Sequence, residues 1–206
     1  MIDFEYWSFF FVAALALNLS PGPDLIYVLT QTISGGKKVG VAAALGACSG
    51  AMVHVCAAAL GVSAVIQSYP FGFKLIKYLG AAYLVYLAIQ AFKTSKISLT
   101  DSNIKDKSPW QAYKHGVLID LFNPKVAIFF LSFLPQFVRK DTGHAGLQML
   151  LLGAIIVFMA AIVEVIAVQL AGKISSKLRN EPKYGVWLNY FVGFVFTGLA
   201  VNLLIP

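Results

Sequence analysis

Six stretches of this chain are apolar over the length that a bilayer core demands. About 20 consecutive apolar residues span the hydrocarbon as a helix, and residues 6–29, 39–66, 75–92, 116–138, 147–170 and 186–205 each approach or meet that requirement. Backbone groups in hydrocarbon must be satisfied within the segment, so such runs become helices unless they close into a barrel. Charged residues make up only 12% of the chain and the mean hydropathy is +0.77, against roughly 25% charged residues in soluble domains. The expected fold is an all-α membrane protein of six transmembrane helices. The N-terminal residues MIDFEYW hold Asp3 and Glu5 in place of lysines and lead to no small-residue cleavage site, so the first run is expected to be retained.

The net charge of +7 is explained by orientation, and no nucleic-acid partner is expected. With the N-terminus outside, the inner loops carry eleven Lys and Arg residues, among them Lys37, Lys38, Lys93, Lys114 and Lys183. The outer loops carry four, Lys74, Lys77, Arg139 and Lys140. The positive-inside rule therefore places both termini outside. Cys48 and Cys56 both lie in the second run without CxxC spacing, which argues against a disulfide framework or a thiol relay; they read as small packed side chains.

The chain reads as one transmembrane domain, residues 1–206, divided by its only long polar stretch. Residues 94–113 form a cytoplasmic linker between a first repeat at 1–93 and a second at 114–206. Three apolar segments per half place the halves in opposite orientations, as in inverted-repeat transporters. Ser20-Pro21 and Asn123-Pro124 fall in the first segment of each half. The expected architecture is thus two inverted three-helix repeats with broken first and fourth helices.

Those two breaks carry the chemistry. In NLSPGPDL, Pro21 and Pro23 lack backbone N–H groups, Gly22 lies between them, and Asp24 follows. A helix must break there, and within a membrane such breaks persist where they line a cavity or are buried in protein. In DLFNPK, Pro124 removes another N–H, Asn123 can cap the new helix start, and Lys125 adds a cation. Half-helix ends meeting across inverted repeats offer N-terminal dipoles to an anion and unwound carbonyls to a cation. An amino acid has both charges. Asp24 is the first candidate for its ammonium or for a coupling proton, and Lys125 or a helix N-terminus for its carboxylate. Asp24 or Asp120 could instead neutralise Lys125.

Glu164, deep in the fifth run and without a charged neighbour in sequence, is a second candidate proton carrier or an acid hydrogen-bonded to a neighbouring helix. His54 and Asp120 are further candidates. Cys48, His54 and Cys56 do not share a helical face, so no metal site is expected, and no cofactor. Gly36, Gly40, Gly46 and Gly50 form a series suited to close helix packing and permit a homodimer. Two other classes stay in view: an intramembrane enzyme or redox carrier using Asp24, His54, Glu164 and the cysteines, and a small-cation or metal exporter using Cys48, His54 and Cys56.

NLSPGPD, the glycine series, KYLGAAYLVYLAIQAF and DLFNPKVAIFFLSFLPQF together resemble the lysine exporter (LysE/RhtB) family of amino-acid exporters. The resemblance implies a bacterial inner-membrane protein exporting amino acids or their derivatives, homoserine-, threonine- or leucine-like or basic, driven by the proton gradient. Its motif residues fall on Pro21, Gly22, Pro23 and Asp24 and on Asn123, Pro124 and Lys125. His54 and Glu164 lie outside those motifs.

Overall fold

A computed structural model describes residues 4–62, 70–93, 108–139, 144–180 and 183–204, of which 62, 70–77, 175–180 and 202–203 are described by backbone alone. All described regular structure is helical. Eight helices follow one another: α1 (Phe4–Leu19), α2 (Pro23–Gly35), α3 (Lys37–Ala57), α4 (Pro70–Lys93), α5 (Pro109–Leu121), α6 (Pro124–Ile128), α7 (Ala145–Asn180) and α8 (Lys183–Leu204). A π-helical turn, Ala58–Val62, prolongs α3. Another, Phe129–Phe133, follows α6 and leads into the 3-10 turn Leu134–Phe137. The bulk of the expected linker, residues 94–107, lies outside the described residues.

Each apolar run contains a helix, and the first and fourth are broken where the prolines predict. The pair α1 and α2 is bent by 52°, as is the pair formed by α5 and the helical stretch Pro124–Phe137. Among the described residues, Lys37–Gly61, Ala145–Ile174 and Lys183–Val201 are each long and apolar enough to cross a membrane, and five spans result if each bent pair counts as one. Outward-facing Phe158, Trp187 and Phe194 are exposed. Large apolar side chains on the outer surface, around helices that also pack an apolar core, mark a protein whose solvent is lipid.

The core divides around the breaks. Phe10, Phe129, Phe130, Phe133, Met149 and Phe196 are buried in the larger cluster, and the rings of Phe133 and Phe137 lie 4.9 Å apart, within aromatic-pair range. Tyr6 donates its hydroxyl hydrogen to the Phe137 carbonyl, tying the start of α1 to the turn that follows α6. A smaller cluster, with Tyr27, Val28, Ala43 and Ala112, joins α2, α3 and α5. Tyr27 donates to the Ala112 carbonyl at 3.0 Å.

Glycines set the tightest of these contacts. A Cβ on Gly46 would come 2.1 Å from the Tyr113 carbonyl oxygen, and one on Gly116 would come 2.4 Å from that of Ala43. Here α3 and α5 touch backbone to backbone. Gly40 faces Thr32, and Gly50 faces Val117 and Asp120, so these three members of the series are packing positions. Gly36 is not: at φ 83° it forms the one-residue joint between α2 and α3, a conformation open to glycine and strained for other residues.

Gly46→Ala and Gly116→Ala are expected to lose about 1–3 kcal/mol of stability, the range for overpacking a tight contact. Gly172→Ala and Gly198→Ala, with nothing within 4 Å of the new methyl, are expected to be neutral. Thermal unfolding of the four variants in detergent checks the contrast.

Candidate functional site

Breaking a helix exposes a carbonyl-rich C-terminus and an amide-rich N-terminus, and each attracts the charge opposite to its own. The two breaks are filled in that sense. Lys125, in the first turn of α6, extends its ammonium to the carbonyl end of α1 and donates to the Ser20 oxygen at 2.9 Å and the Leu17 oxygen at 3.3 Å. Asp24 stands in the first turn of α2, where a carboxylate complements the N-terminal dipole.

The two charges meet across the gap. Lys125 Nζ lies 3.8 Å from Asp24 Oδ1, and the two side chains are 10% and 15% exposed. Asn123 joins both halves: its Oδ1 accepts from the Lys125 backbone N–H at 3.1 Å, which caps α6, and its Nδ2 donates to Asp24 Oδ1 at 3.4 Å. Gly22 leaves room for this contact, since a Cβ there would come 2.4 Å from Asp24 Oδ1 and 2.8 Å from Lys125 Nζ. Of the two candidate partners for Lys125, Asp24 forms the ion pair. The unwound carbonyls expected to receive a cation hold the protein's own ammonium.

Beside this pair lies a cavity of about 30 Å³, room for a water molecule or two and too little for an amino acid. Asp24, Lys125, Asp120 and Glu164 all reach its wall, together with apolar Leu17, Ala51, Val126, Phe130, Ile156 and Val157. The structure thus brings together both break motifs and the buried acid of α7. Glu164 is 6% exposed, and Cys48 Sγ approaches its Oε2 at 3.7 Å. Asp120 is 3% exposed, in the last turn of α5.

His54 stands apart from the cavity wall. Its Nε2 lies 3.3 Å from the Asp120 carbonyl oxygen, so it contacts the backbone at the end of α5. Among the described residues no group of three His, Cys, Asp or Glu side chains is placed to hold a metal ion.

Two participants escaped sequence reasoning. Cys48 is more than a packed small side chain, since it lines the cavity against Glu164. Asn18 donates to the Ile156 carbonyl at 3.4 Å and reaches the same wall. An amide one turn before a proline break, in an otherwise apolar run, was the available signal for Asn18; Cys48 offered none, because its role depends on how α3 and α7 face one another.

Comparison with protein families matches residues 15–206 to the LysE type translocators. An uncharacterized membrane protein of Pseudomonas aeruginosa is 28% identical over 204 residues, covering 97% of this chain and 94% of that protein. A leucine efflux protein of Salmonella typhimurium is 27% identical over 200 residues, again covering 97% and 94%. The leucine efflux protein of Salmonella typhi matches to the same extent. No solved structure matches.

Removing one member of a buried ion pair leaves the other uncompensated and costs about 3–5 kcal/mol, whereas removing both costs less. Lys125→Met and Asp24→Asn are therefore expected each to destabilise the protein more than the double variant does, in a thermal double-mutant cycle. Asn123→Ala is expected to lose about 1 kcal/mol through the cap, and Asn123→Ser to regain most of it, measured in the same way.

Proposed function

Given that this chain belongs to the LysE type translocator family, we propose that it is a secondary active exporter of an amino acid or amino-acid derivative, coupled to protons and working by alternating access. A translocator moves a solute and is not an enzyme. The observation that carries the reading is the Lys125–Asp24 pair, closed across two broken helices beside a cavity lined by two further acids. Opposite charges at opposed half-helix ends form a receptor for a zwitterion.

On this reading the substrate opens the pair. Its carboxylate takes a place beside Lys125 and the amide end at Asn123, with Pro21, Gly22, Pro23 and Pro124 holding the backbones apart. Its ammonium is received by the cavity's carboxylates and the carbonyls at the end of α1. Asp24, once Lys125 leaves it, and Glu164, the buried acid of α7, are the two acids that sequence reasoning offers as proton carriers.

The apolar part of the wall, Leu17, Ala51, Val126, Phe130, Ile156 and Val157, suits an aliphatic side chain. This supports a leucine-like substrate, in keeping with the names of the Salmonella relatives. The fold completing the reading has six spans in two inverted triplets, lies in the bacterial inner membrane and keeps both termini outside.

Asp24→Asn and Lys125→Met, expressed at the parent's level, are expected to lose at least tenfold in export rate, the fall expected when a positioned charge contact worth about 1.4 kcal/mol or more is removed. Replacing both cysteines by alanine is expected to leave export in place. Efflux of labelled amino acids from loaded cells checks both; undiminished export by the Asp24 and Lys125 variants would place the site elsewhere.

A further inference from the structure

Of the three acids that reach the cavity, two are engaged and one is not. Asp24 Oδ1 faces Lys125 and accepts from Asn123. Glu164 Oε2 is met by the Cys48 thiol. Asp120 Oδ2 is buried and has no hydrogen-bond partner among the described residues, and its residue is only 3% exposed. An acceptor in that position is costly to leave empty.

Its surroundings select what could fill it. Asp120 lies in the last turn of α5, where unpaired helix carbonyls add negative potential. Facing it are Asp24 from α2, Lys125 from α6, and Glu164 from α7. From α3 come Cys48, on the same cavity wall, and His54, which approaches the Asp120 carbonyl. That leaves three carboxyl groups against one ammonium, and the ammonium is already held by Ser20, Leu17 and Asp24. A low-dielectric cavity cannot carry two uncompensated negative charges. The missing partner is a cation small enough for about 30 Å³ or one brought by a ligand that enlarges the space. The described residues are not grouped to ligate a metal, and the cations that the exporter reading supplies are a proton and the substrate's primary ammonium group.

We propose that Asp120 is the exchange site of this protein, a single carboxylate at which a proton and the substrate's ammonium exclude one another. The proposal rests on the exporter reading above and locates its coupling step. In the closed state the proton sits on Asp120. When substrate enters from the inside, its ammonium takes the place beside the carboxylate and the proton leaves to inner water. On the outer side a proton returns to the carboxylate and the neutral acid releases the ammonium. Over one cycle a proton enters for each zwitterion that leaves, and at Asp120 the ammonium stands where the proton stood while the substrate's own carboxylate is met by Lys125. Exclusion at one oxygen pair makes the exchange obligatory without any relay.

Gly50 keeps this group in place: a Cβ there would come 2.9 Å from Asp120 Cβ. The backbone of α3 therefore lies against the acid, whose side chain lines the cavity.

The test uses purified full-length protein and, as probe, the amino acid for which the wild type shows the strongest efflux. In weakly buffered detergent solution, substrate binding to the wild type is expected to release close to one proton per substrate bound. Its apparent affinity is expected to fall about tenfold per pH unit on the acid side. Asp120→Asn is expected to lose both the release and the pH slope. Asp120→Glu should keep both, and Asp24→Asn and Glu164→Gln should keep the slope even where affinity drops. Binding by the wild type without proton release overturns the proposal, and needs no variant to fold; so does an unchanged slope in Asp120→Asn. Failure of the wild type to bind any amino acid would overturn the exporter reading itself and this proposal with it.

Discussion

Everything at the centre of this molecule follows from one requirement, that backbone groups freed inside an apolar bundle find partners. Two proline breaks release carbonyls at the end of α1 and amides at the starts of α2 and α6. The lysine of the second break satisfies the carbonyls of the first, and the amide of Asn123 reaches the carboxylate that follows the first. Neither break is complete in itself. Each supplies what the other lacks, so the two bent helices are joined by the same groups that mark them as a site.

That reciprocity explains how much could be read from the chain. The breaks were legible because proline chemistry is local: Pro21, Pro23 and Pro124 end a helix whatever surrounds them. The membrane class was legible from the length of the apolar runs. The cap by Asn123 followed from an amide directly before a proline. The partner of Lys125 was not legible, because Asp24 and Asp120 are equally available in sequence, and only the meeting of the two breaks in space decides between them. Glu164 was legible as an anomaly, whereas its thiol neighbour required the facing of α3 and α7. Gly36 looked like one more member of a packing series; its left-handed φ, set by the turn from α2 to α3, gives it a different task.

The closed cavity also limits what this conformation can be. With space for a water molecule or two and its one lysine satisfied by backbone oxygens, it holds the protein's own charges where, on the proposed reading, a zwitterion would sit. Such self-occupancy suits a transporter, since an empty site left open on both faces would leak ions, and a closed one with unpaired charges would be too unstable to form.

The glycine seam between α3 and α5 has a mechanical meaning. Where the Tyr113 and Ala43 carbonyls press on Gly46 and Gly116, no layer of side chains lies between the helices to slide over. Shear motions need such a layer, because they proceed by small rotamer changes along packed faces. The seam is thus a weld, and α3 and α5 must travel as a single plate, with α2 carried along on its one-residue joint at Gly36. An opening of the cavity would then displace this plate relative to α1, α6 and α7, which supply the rest of its wall.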